Sequence, residues 1–466
     1  MRITTDSQLP EKAIAAFNQR LHEIRQTVQP ERRKGGPTIP QGSSISHVPK
    51  RHLGRDVVLQ LSGETTVDIL GQAKEAYYES GGQLWAVRGQ ALEQLQRIAI
   101  DVARSPAYHL RLSEDFILHS ALDWLKASHG GPANEPFMAF LDTEAKKAVQ
   151  PRIVRLPVAH LAIERPFQVG PATVSFVTKE FFDDLSARML SSQPEENRIT
   201  SNWLDRKRKK YQGTVTIDVE TCADLSLALD SATAVAEKVL TCLRFFSPAA
   251  FVPELRCYVE LSGRALIPAR DVLYSEGSRW TTWEGLEEKR EFEWFHSQRD
   301  VVRYRTLGFE ELVALVFGDQ PTVLQRTLGT TLRTFTRSLM APTFEEKVVL
   351  MLAAGEALLL TGSQDPVQRT FAQRLAVLAS GDLVARRRIV TAVRDAYSLR
   401  SGFLHHGKSK EDFDVLRLVQ HSTWDGIINA TRGSRQFPTP QNLQMALDDD
   451  LLGPAASGAR PADAQL

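Results

Sequence analysis

Three residues that could act on a phosphodiester lie close together late in the sequence: Arg400, His405 and His406. An arginine guanidinium is always charged and can bind a phosphate through two parallel hydrogen bonds, whereas a histidine gains and loses a proton near neutral pH. The stretch that contains them has helical character and stops at Gly407, a typical helix end. The stretch could therefore both bind a phosphate and move a proton.

The spacing of these residues limits what one copy of the chain can do. At about 100° per residue, Arg400 and His405 lie about 140° apart around a helix, and Arg400 and His406 lie about 120° apart in the other direction. Gly402, inside the same helix, costs about 1 kcal/mol relative to alanine, which indicates that another backbone or a substrate approaches closely there. The spacing alone is therefore a weak argument for a complete site.

The same helix has a strongly basic composition. Seven Arg and Lys residues but only one acid, Asp395, lie between residues 386 and 410. The candidate RNA contacts in this stretch are Arg386, Arg387, Arg388, Arg394 and Lys408. Because the whole chain has 57 basic and 56 acidic residues, affinity for RNA would have to come from such a local patch. The alternative is a surface helix whose arginines pair with acids elsewhere.

A second basic cluster, Arg206 to Lys210, lies between Trp203 and Tyr211. Basic residues interleaved with aromatic rings can follow a phosphate backbone and stack on bases, which makes Arg206, Lys207 and Arg208 further candidates for RNA binding. The composition favours the simpler interpretation, a solvated loop between two elements.

Helical periodicity surrounds the Arg-His stretch. Helices are predicted around residues 324–339, from a capping box at Thr343 and Glu346 onward, and over 371–378, 384–406 and 413–430. Because the connections between them are short, we expect an antiparallel helical bundle over residues 309–432.

The rest of the chain divides by its patterns. We expect a helix with a flexible linker in residues 1–55, a helical region in 56–149, a small α+β domain in 150–308 and a disordered tail in 433–466. The predicted fold class is α+β, predominantly helical, with the bundle at the C-terminal end.

The bundle resembles a known family. Tyr397, Arg400 and His405 match the Tyr-x-x-Arg-x-x-x-x-His signature of HEPN domains, and the helix with Ala354 to Leu359 is similar to the Apea-like branch. The resemblance spans about residues 320–432.

HEPN domains are typically metal-independent ribonucleases of defence and toxin systems, so the resemblance implies an RNA substrate and neither metal nor cofactor. It implies that Arg400 holds the scissile phosphate and that His405 moves a proton. Ser401 and His406 depart from the residues common in the family, whereas Tyr397 and Glu356 could support the site. Such domains form homodimers, and we expect one here, with Gly402 near its axis. The alternative is a non-catalytic scaffold that binds RNA or protein.

The sequence also predicts a compartment. The three cysteines, Cys222, Cys242 and Cys257, form no C-x-x-C pair, which is typical of a reducing cytoplasm. No apolar run is long enough for a membrane span, so we expect a cytoplasmic protein without a membrane partner.

Overall fold

The structure, a computed structural model, describes residues 9–30, 57–59, 65–67, 73–130, 135–189, 194–262, 270–276, 279–285, 294–360, 367–407 and 410–452. The chain forms two compact units, one of residues 1–154 with 220–232 and one of residues 155–219 with 233–466. Most of the middle region and the C-terminal helices belong to the second unit, and the predicted boundary between residues 308 and 309 stays a prediction.

The first unit combines an antiparallel sheet with helices. The helices are α1 (Glu11–Thr27), α2 (Gln90–Ala103), α3 (Glu114–Gly130) and α4 (Phe137–Ala148). The strands are β1 (Gln29–Pro30), β2 (Val57–Leu59), β3 (Thr65–Val67), β4 (Ala73–Ser80) and β5 (Gln83–Arg88), in the order β1-β5-β4-β3-β2. The helix predicted at residues 10–27 is confirmed by α1, whereas most of the predicted linker lies outside the described residues.

The prediction of a helical region at 56–149 is wrong for its first part, which forms β2 to β5. Gly81 and Gly82 join β4 to β5 with φ of 61° and 73°, and consecutive glycines suit such a two-residue hairpin turn. Along β4 the buried residues alternate, since Ala76 and Tyr78 are buried while Glu79 is exposed. Three helices then follow as expected.

The middle of the chain mixes strands with helices, as predicted. The strands are β6 (Gln150–Ala159), β7 (Leu161–Ile163), β8 (Phe167–Val169), β9 (Ala172–Phe176), β10 (Val215–Ala223), β11 (Glu260–Leu261), β12 (Arg270–Glu276), β13 (Arg279–Gly285) and β14 (Trp294–His296). One sheet has the order β11-β6-β10-β9-β8; β12 pairs antiparallel with β13, and β14 pairs parallel with β7. The helices are α5 (Lys179–Met189), α6 (Pro194–Tyr211) and α7 (Leu225–Phe245).

From residue 298 onward the described chain is helical. The helices are α8 (Gln298–Thr306), α9 (Phe309–Phe317), α10 (Val323–Met340), α11 (Phe344–Leu359), α12 (Val367–Ala379), α13 (Leu383–His406), α14 (Phe413–Gly433) and α15 (Pro440–Leu452). Helix α13 packs against α11, α12 and α14, and α10 packs against α11. None of the described helices has the length and apolarity that crossing a lipid bilayer requires.

Capping side chains fix where these helices begin. Thr343 and Asp382 each accept a hydrogen bond from a backbone N–H three residues later, from Glu346 at 3.2 Å and from Ala385 at 2.7 Å. Such caps satisfy N–H groups that lack a partner within the helix. At the other end of α13, Gly407 adopts a left-handed φ of 59° and its N–H donates to the Phe403 carbonyl at 2.9 Å. The predicted end of this helix is confirmed.

The core beneath the bundle is aromatic. Phe245 packs against Phe246, Phe335 and Trp424 with ring centroids 5.3, 5.2 and 5.2 Å apart, and the Trp424 indole N–H donates to the Phe245 carbonyl at 2.9 Å. Burial of such large rings is a main contribution to stability. This core fixes α7, α10 and α14 against one another.

The prediction of a disordered tail from residue 433 is wrong over residues 440–452, which form α15. Leu443 and Leu447 are buried, and Arg374 on α12 donates to both carboxylate oxygens of Asp448 at 2.9 and 2.7 Å. These are contacts with residues far away in sequence, so local periodicity did not reveal the helix. Residues 453–466 lie outside the described chain.

Candidate functional site

Arg400 lies where α13 packs against α11. Its Nη1 donates a hydrogen bond to Oε1 of Glu356 at 2.8 Å, and the Tyr397 hydroxyl donates to the same oxygen. The Arg400 guanidinium also lies over the Tyr397 ring, 4.4 Å from its centroid. Glu356 on α11 therefore contacts Arg400 on α13, and Tyr397 contacts both of these residues.

The surroundings strengthen this three-residue contact. The Arg400 and Glu356 side chains are 25% and 23% exposed, so water screens their attraction less than it screens a surface pair. Burial, followed by the hydrogen bond to Glu356, raises the pKa of Tyr397, so its hydroxyl stays protonated and remains a donor. Glu356 occupies one of the five N–H donors of Arg400, and the others form no hydrogen bond with described residues.

The two histidines occupy the last turn of α13. His405 and His406 are both exposed, with ring centroids 6.4 Å apart. Neither ring forms a hydrogen bond with a residue in the described part of the chain. Both imidazoles are therefore accessible to a substrate.

Within one copy of the chain, Arg400 and His405 lie on different sides of α13, as the helical spacing predicts. Buried residues of α13, Ile389, Val393 and Ala396, define the side that faces the core, and Arg400 follows on that side. His405 lies about 140° around the helix from Arg400. A single α13 thus presents the cation and this imidazole to different surroundings.

No cleft for a nucleotide opens beside Arg400 among the described residues. The crevice there has a volume of about 10 Å³ and is lined by Phe344, Val348, Phe403 and Lys410. That volume suits about one water molecule. One copy of the chain therefore supplies reactive groups without an enclosed site.

Ser401 is exposed beside Arg400. Of the basic residues predicted on the same helix, Arg386 donates from Nε to the Ser380 carbonyl at 2.7 Å, while Arg387, Arg388 and Arg394 are exposed. Lys408 lies outside the described residues. Three exposed arginines therefore remain on α13 as candidate contacts to RNA.

A groove of about 680 Å³ between α13 and α14 was not predicted from the sequence. Arg387 and Arg388 line one side, and Arg417 and His421 line the other. Arg417 pairs with Glu254 and, at 2.7 Å, with Asp414, whereas His421 contacts the Phe251 carbonyl at 2.9 Å. Arg417 and His421 are four residues apart, about one helical turn, so the sequence does indicate that they share one side of α14.

The interpretation of Arg206 to Lys210 as a loop is wrong, because these residues belong to α6. Arg208 pairs with Asp183 at 2.7 Å, and the Lys207 ammonium lies 5.6 Å from the ring centroids of both Trp203 and Tyr211. The rings thus pack against cations of their own helix. Arg206 is exposed and donates to the Asn202 carbonyl.

No family model matches this chain, and neither does any curated protein or any solved structure. The groups able to act on a substrate are gathered at the contact between α11 and α13 and at the exposed end of α13. They are Glu356, Tyr397 and Arg400, with His405 and His406 beyond them.

Proposed function

We propose that the protein is a metal-independent endoribonuclease of the HEPN type, with a role in antiviral defence or as a toxin that cleaves RNA. The observation that carries the proposal is the end of α13, where Arg400 is oriented by Glu356 and Tyr397 and two exposed histidines follow within the last two turns. An oriented guanidinium and accessible imidazoles are the groups that phosphodiester cleavage through a 2′-hydroxyl requires.

In the proposed reaction, the 2′-oxygen of the substrate attacks the adjacent phosphorus and the 5′-oxygen leaves. One His405 imidazole accepts the 2′ proton, and a second, protonated imidazole donates a proton to the departing oxygen. The donors of Arg400 that Glu356 does not occupy bind the phosphate as its negative charge grows. The products are a 2′,3′-cyclic phosphate and a 5′-hydroxyl.

Because this reaction needs both a base and an acid, we propose that the active form is a homodimer that shares one site. One copy offers a single His405 and only the small crevice beside Arg400. A twofold axis near Gly402 would bring two guanidiniums and two imidazoles to one phosphate. The exposed arginines of α13 would bind the flanking phosphates of the RNA.

The test is cleavage of end-labelled RNA by the purified protein in EDTA. We expect Arg400→Ala and His405→Ala each to slow cleavage by about 10²–10⁴-fold, while His406→Ala reports whether the neighbouring imidazole contributes. Arg97→Ala and His22→Ala, exposed residues of α2 and α1, are the matched controls. Cleavage that survives both Arg400→Ala and His405→Ala would refute the assignment of the site.

One observation favours a second candidate function, a non-catalytic HEPN scaffold that binds RNA or protein. The Arg400 guanidinium is already paired, and no cleft lies beside it among the described residues. A scaffold would bind RNA without cutting it under any condition tested, and its affinity would fall in Arg387→Ala and Arg388→Ala but not in His405→Ala.

A further inference from the structure

A cavity of about 790 Å³ lies between α7 and α10 and includes none of the residues of the α13 site. Helix α7 contributes Ala234 and Lys238, which lie about one turn apart on the same side of the helix, together with Glu237 and Arg244. The volume is in the range of about 300–1,000 Å³ that small-molecule sites occupy. The cavity is therefore large enough for an organic ligand.

The side formed by α10 is strongly positive. Arg326, Arg333 and Arg337 line the cavity, are exposed and lie within about 40° of one another around the helix. Arg326 donates to the Pro321 carbonyl at 2.8 Å and Arg333 to the Thr330 hydroxyl at 3.1 Å, but none of the three pairs with a carboxylate in the described parts of the chain. Three like charges on one face repel one another, and a bound anion would relieve that repulsion.

Lys238 supplies a fourth cation from the opposite helix. Its ammonium lies 5.5 Å from the Phe317 ring centroid, and it too has no carboxylate partner among described residues. Cations therefore line the cavity from both helices. A ligand lying between α7 and α10 would contact positive charge on two sides.

A buried charge pair closes part of the cavity wall. Arg244 is 6% exposed, donates from Nε to the Val259 carbonyl at 2.8 Å, and has Nη2 2.9 Å from Oε1 of Glu260. Nη1 of Arg244 also lies 3.9 Å from Oε2 of Glu237, the other carboxylate that lines the cavity. Arg244 therefore offsets the lining carboxylates, and the positive charge left for a ligand is that of Lys238 and the three arginines of α10.

The remaining lining is apolar. Val316 and Met340 are only partly buried and present accessible apolar surface, whereas Leu315 and Leu332 are buried. Inorganic phosphate would leave this surface unused, whereas a planar base could pack on it. The three arginines extend over eleven residues of α10, about 16 Å, which suits a short chain of phosphates.

We propose that this cavity binds a nucleoside polyphosphate. The phosphates contact Arg326, Arg333 and Arg337 together with Lys238, and the base lies on Val316 and Met340. This site is separate from the one proposed for RNA cleavage, and neither proposal depends on the other.

Isothermal titration calorimetry of the full-length protein tests the inference with ATP, GTP and inorganic tripolyphosphate as probes. We expect at least one nucleotide to bind about tenfold or more tightly than tripolyphosphate, because only the nucleotide uses the apolar lining. The double variant Arg333→Ala/Arg337→Ala should weaken nucleotide binding by at least about tenfold. Arg299→Ala/Arg303→Ala on α8, which removes the same charge from exposed positions, should leave binding unchanged.

A second variant distinguishes nucleotide that binds inside the cavity from nucleotide that is only attracted to the charged residues at its edge. Ala234→Trp fills space on the α7 side without changing charge, and Ala234 is exposed, so folding should be preserved. Loss of nucleotide binding in this variant supports the inference. Three results would each overturn it: no binding of either nucleotide, equal affinity for tripolyphosphate, or full binding by Ala234→Trp. Displacement of nucleotide by a single-stranded RNA at lower concentration would assign the cavity to RNA instead.

Discussion

A single carboxylate oxygen organises the centre of the α11–α13 contact. Oε1 of Glu356 accepts from both the Arg400 guanidinium and the Tyr397 hydroxyl, while the Tyr397 ring lies beneath that guanidinium. Hydrogen bonds to a charged acceptor contribute more to stability than neutral ones. Tyr397 therefore positions Arg400 twice, through its hydroxyl and through its ring.

Replacing only the hydroxyl tests the first of these contacts. We expect Tyr397→Phe to lower the free energy of unfolding by about 1 kcal/mol, since Glu356 loses one donor while the ring remains over Arg400. Tyr211→Phe, on α6, is the control, because the Tyr211 hydroxyl has no hydrogen bond with a described residue. Urea denaturation measures both variants. Equal effects in the two would contradict the role given to the hydroxyl.

His296 is the clearest case of a buried group that must stay neutral. It is 3% exposed, and neither ring nitrogen has a hydrogen-bond partner in the described chain. The rings of Phe167, Trp294 and Tyr304 surround it at 4.9, 5.2 and 5.2 Å. Burial lowers the pKa of His296 to about 4, against the opposing influence of Asp300.

This pKa predicts acid sensitivity. Between the unfolded value of 6.5 and about 4, the unfolded chain binds more protons at His296 than the folded protein does, so stability falls as the pH falls. From about pH 7 to about pH 5.5, we expect His296 to account for a loss of about 1 kcal/mol. His296→Phe should remove that part of the pH dependence, and His405→Asn, at an exposed position, should not. Urea denaturation at both pH values checks this, and an unchanged slope in His296→Phe would refute it.

At the scale of elements, the contact between α11 and α12 depends on a glycine. A Cβ on Gly355 would lie 2.5 and 2.6 Å from two ring atoms of Phe371, whose side chain is completely buried. The Phe371 ring in turn lies 6.1 Å from that of Tyr397, centroid to centroid. Gly355 thus lets α12 approach the segment of α11 that carries Glu356.

Two glycine-to-alanine substitutions should therefore change the stability of the protein in opposite directions. Gly355→Ala is expected to destabilise the protein by about 1–3 kcal/mol, since the buried ring has no room to move. Gly329→Ala, inside α10, meets only the flexible end of Arg333 at 3.9 Å and should stabilise by about 0.5–1 kcal/mol. Thermal unfolding of the two variants measures the difference. A stabilising Gly355→Ala would contradict the packing described for α11 and α12.

Elements with strong local signals were predictable from the sequence. The apolar spacing and the Gly407 stop placed α13 within one residue of its observed ends, and Thr343 placed the start of α11. The hairpin β4–β5 was missed although Gly81 and Gly82 signal a turn, because the flanking apolar residues were assigned a helical period. Helix α15 depends on contacts such as Arg374 with Asp448, which no local pattern contains.

The residues of the candidate site could be predicted from the sequence, but the contacts between their side chains could not. Arg400 and His405 follow from a short sequence pattern, whereas the shared oxygen of Glu356 depends on how α11 and α13 pack. The α7–α10 cavity had no sequence signal at all, since its cations are spread between residues 238 and 337. Grooves between helices distant in sequence appear only when the packing is known.

For the whole molecule, net charge is close to zero, so RNA binding and assembly would depend on local surfaces rather than on general attraction. The proposed shared site adds a requirement that a single copy cannot meet. Each dimer must bring two His405 imidazoles, one as the base and one as the acid, to the same phosphate. Mixing the unaltered protein with an inactive variant is a direct way to examine that requirement.

In the proposed reaction one His405 accepts a proton and the other donates one, so a dimer with a single His405 should be inactive. When the unaltered protein and His405→Ala are mixed in equal amounts under conditions that allow subunit exchange, about half of the dimers contain one copy of each. We expect cleavage per unaltered chain to fall to about half as exchange proceeds, as measured with end-labelled RNA. A mixture with Arg97→Ala, an exposed residue of α2, is the control and should show no such fall. Sedimentation should detect dimers in every sample; mixed dimers that form without any fall in cleavage would refute the shared site.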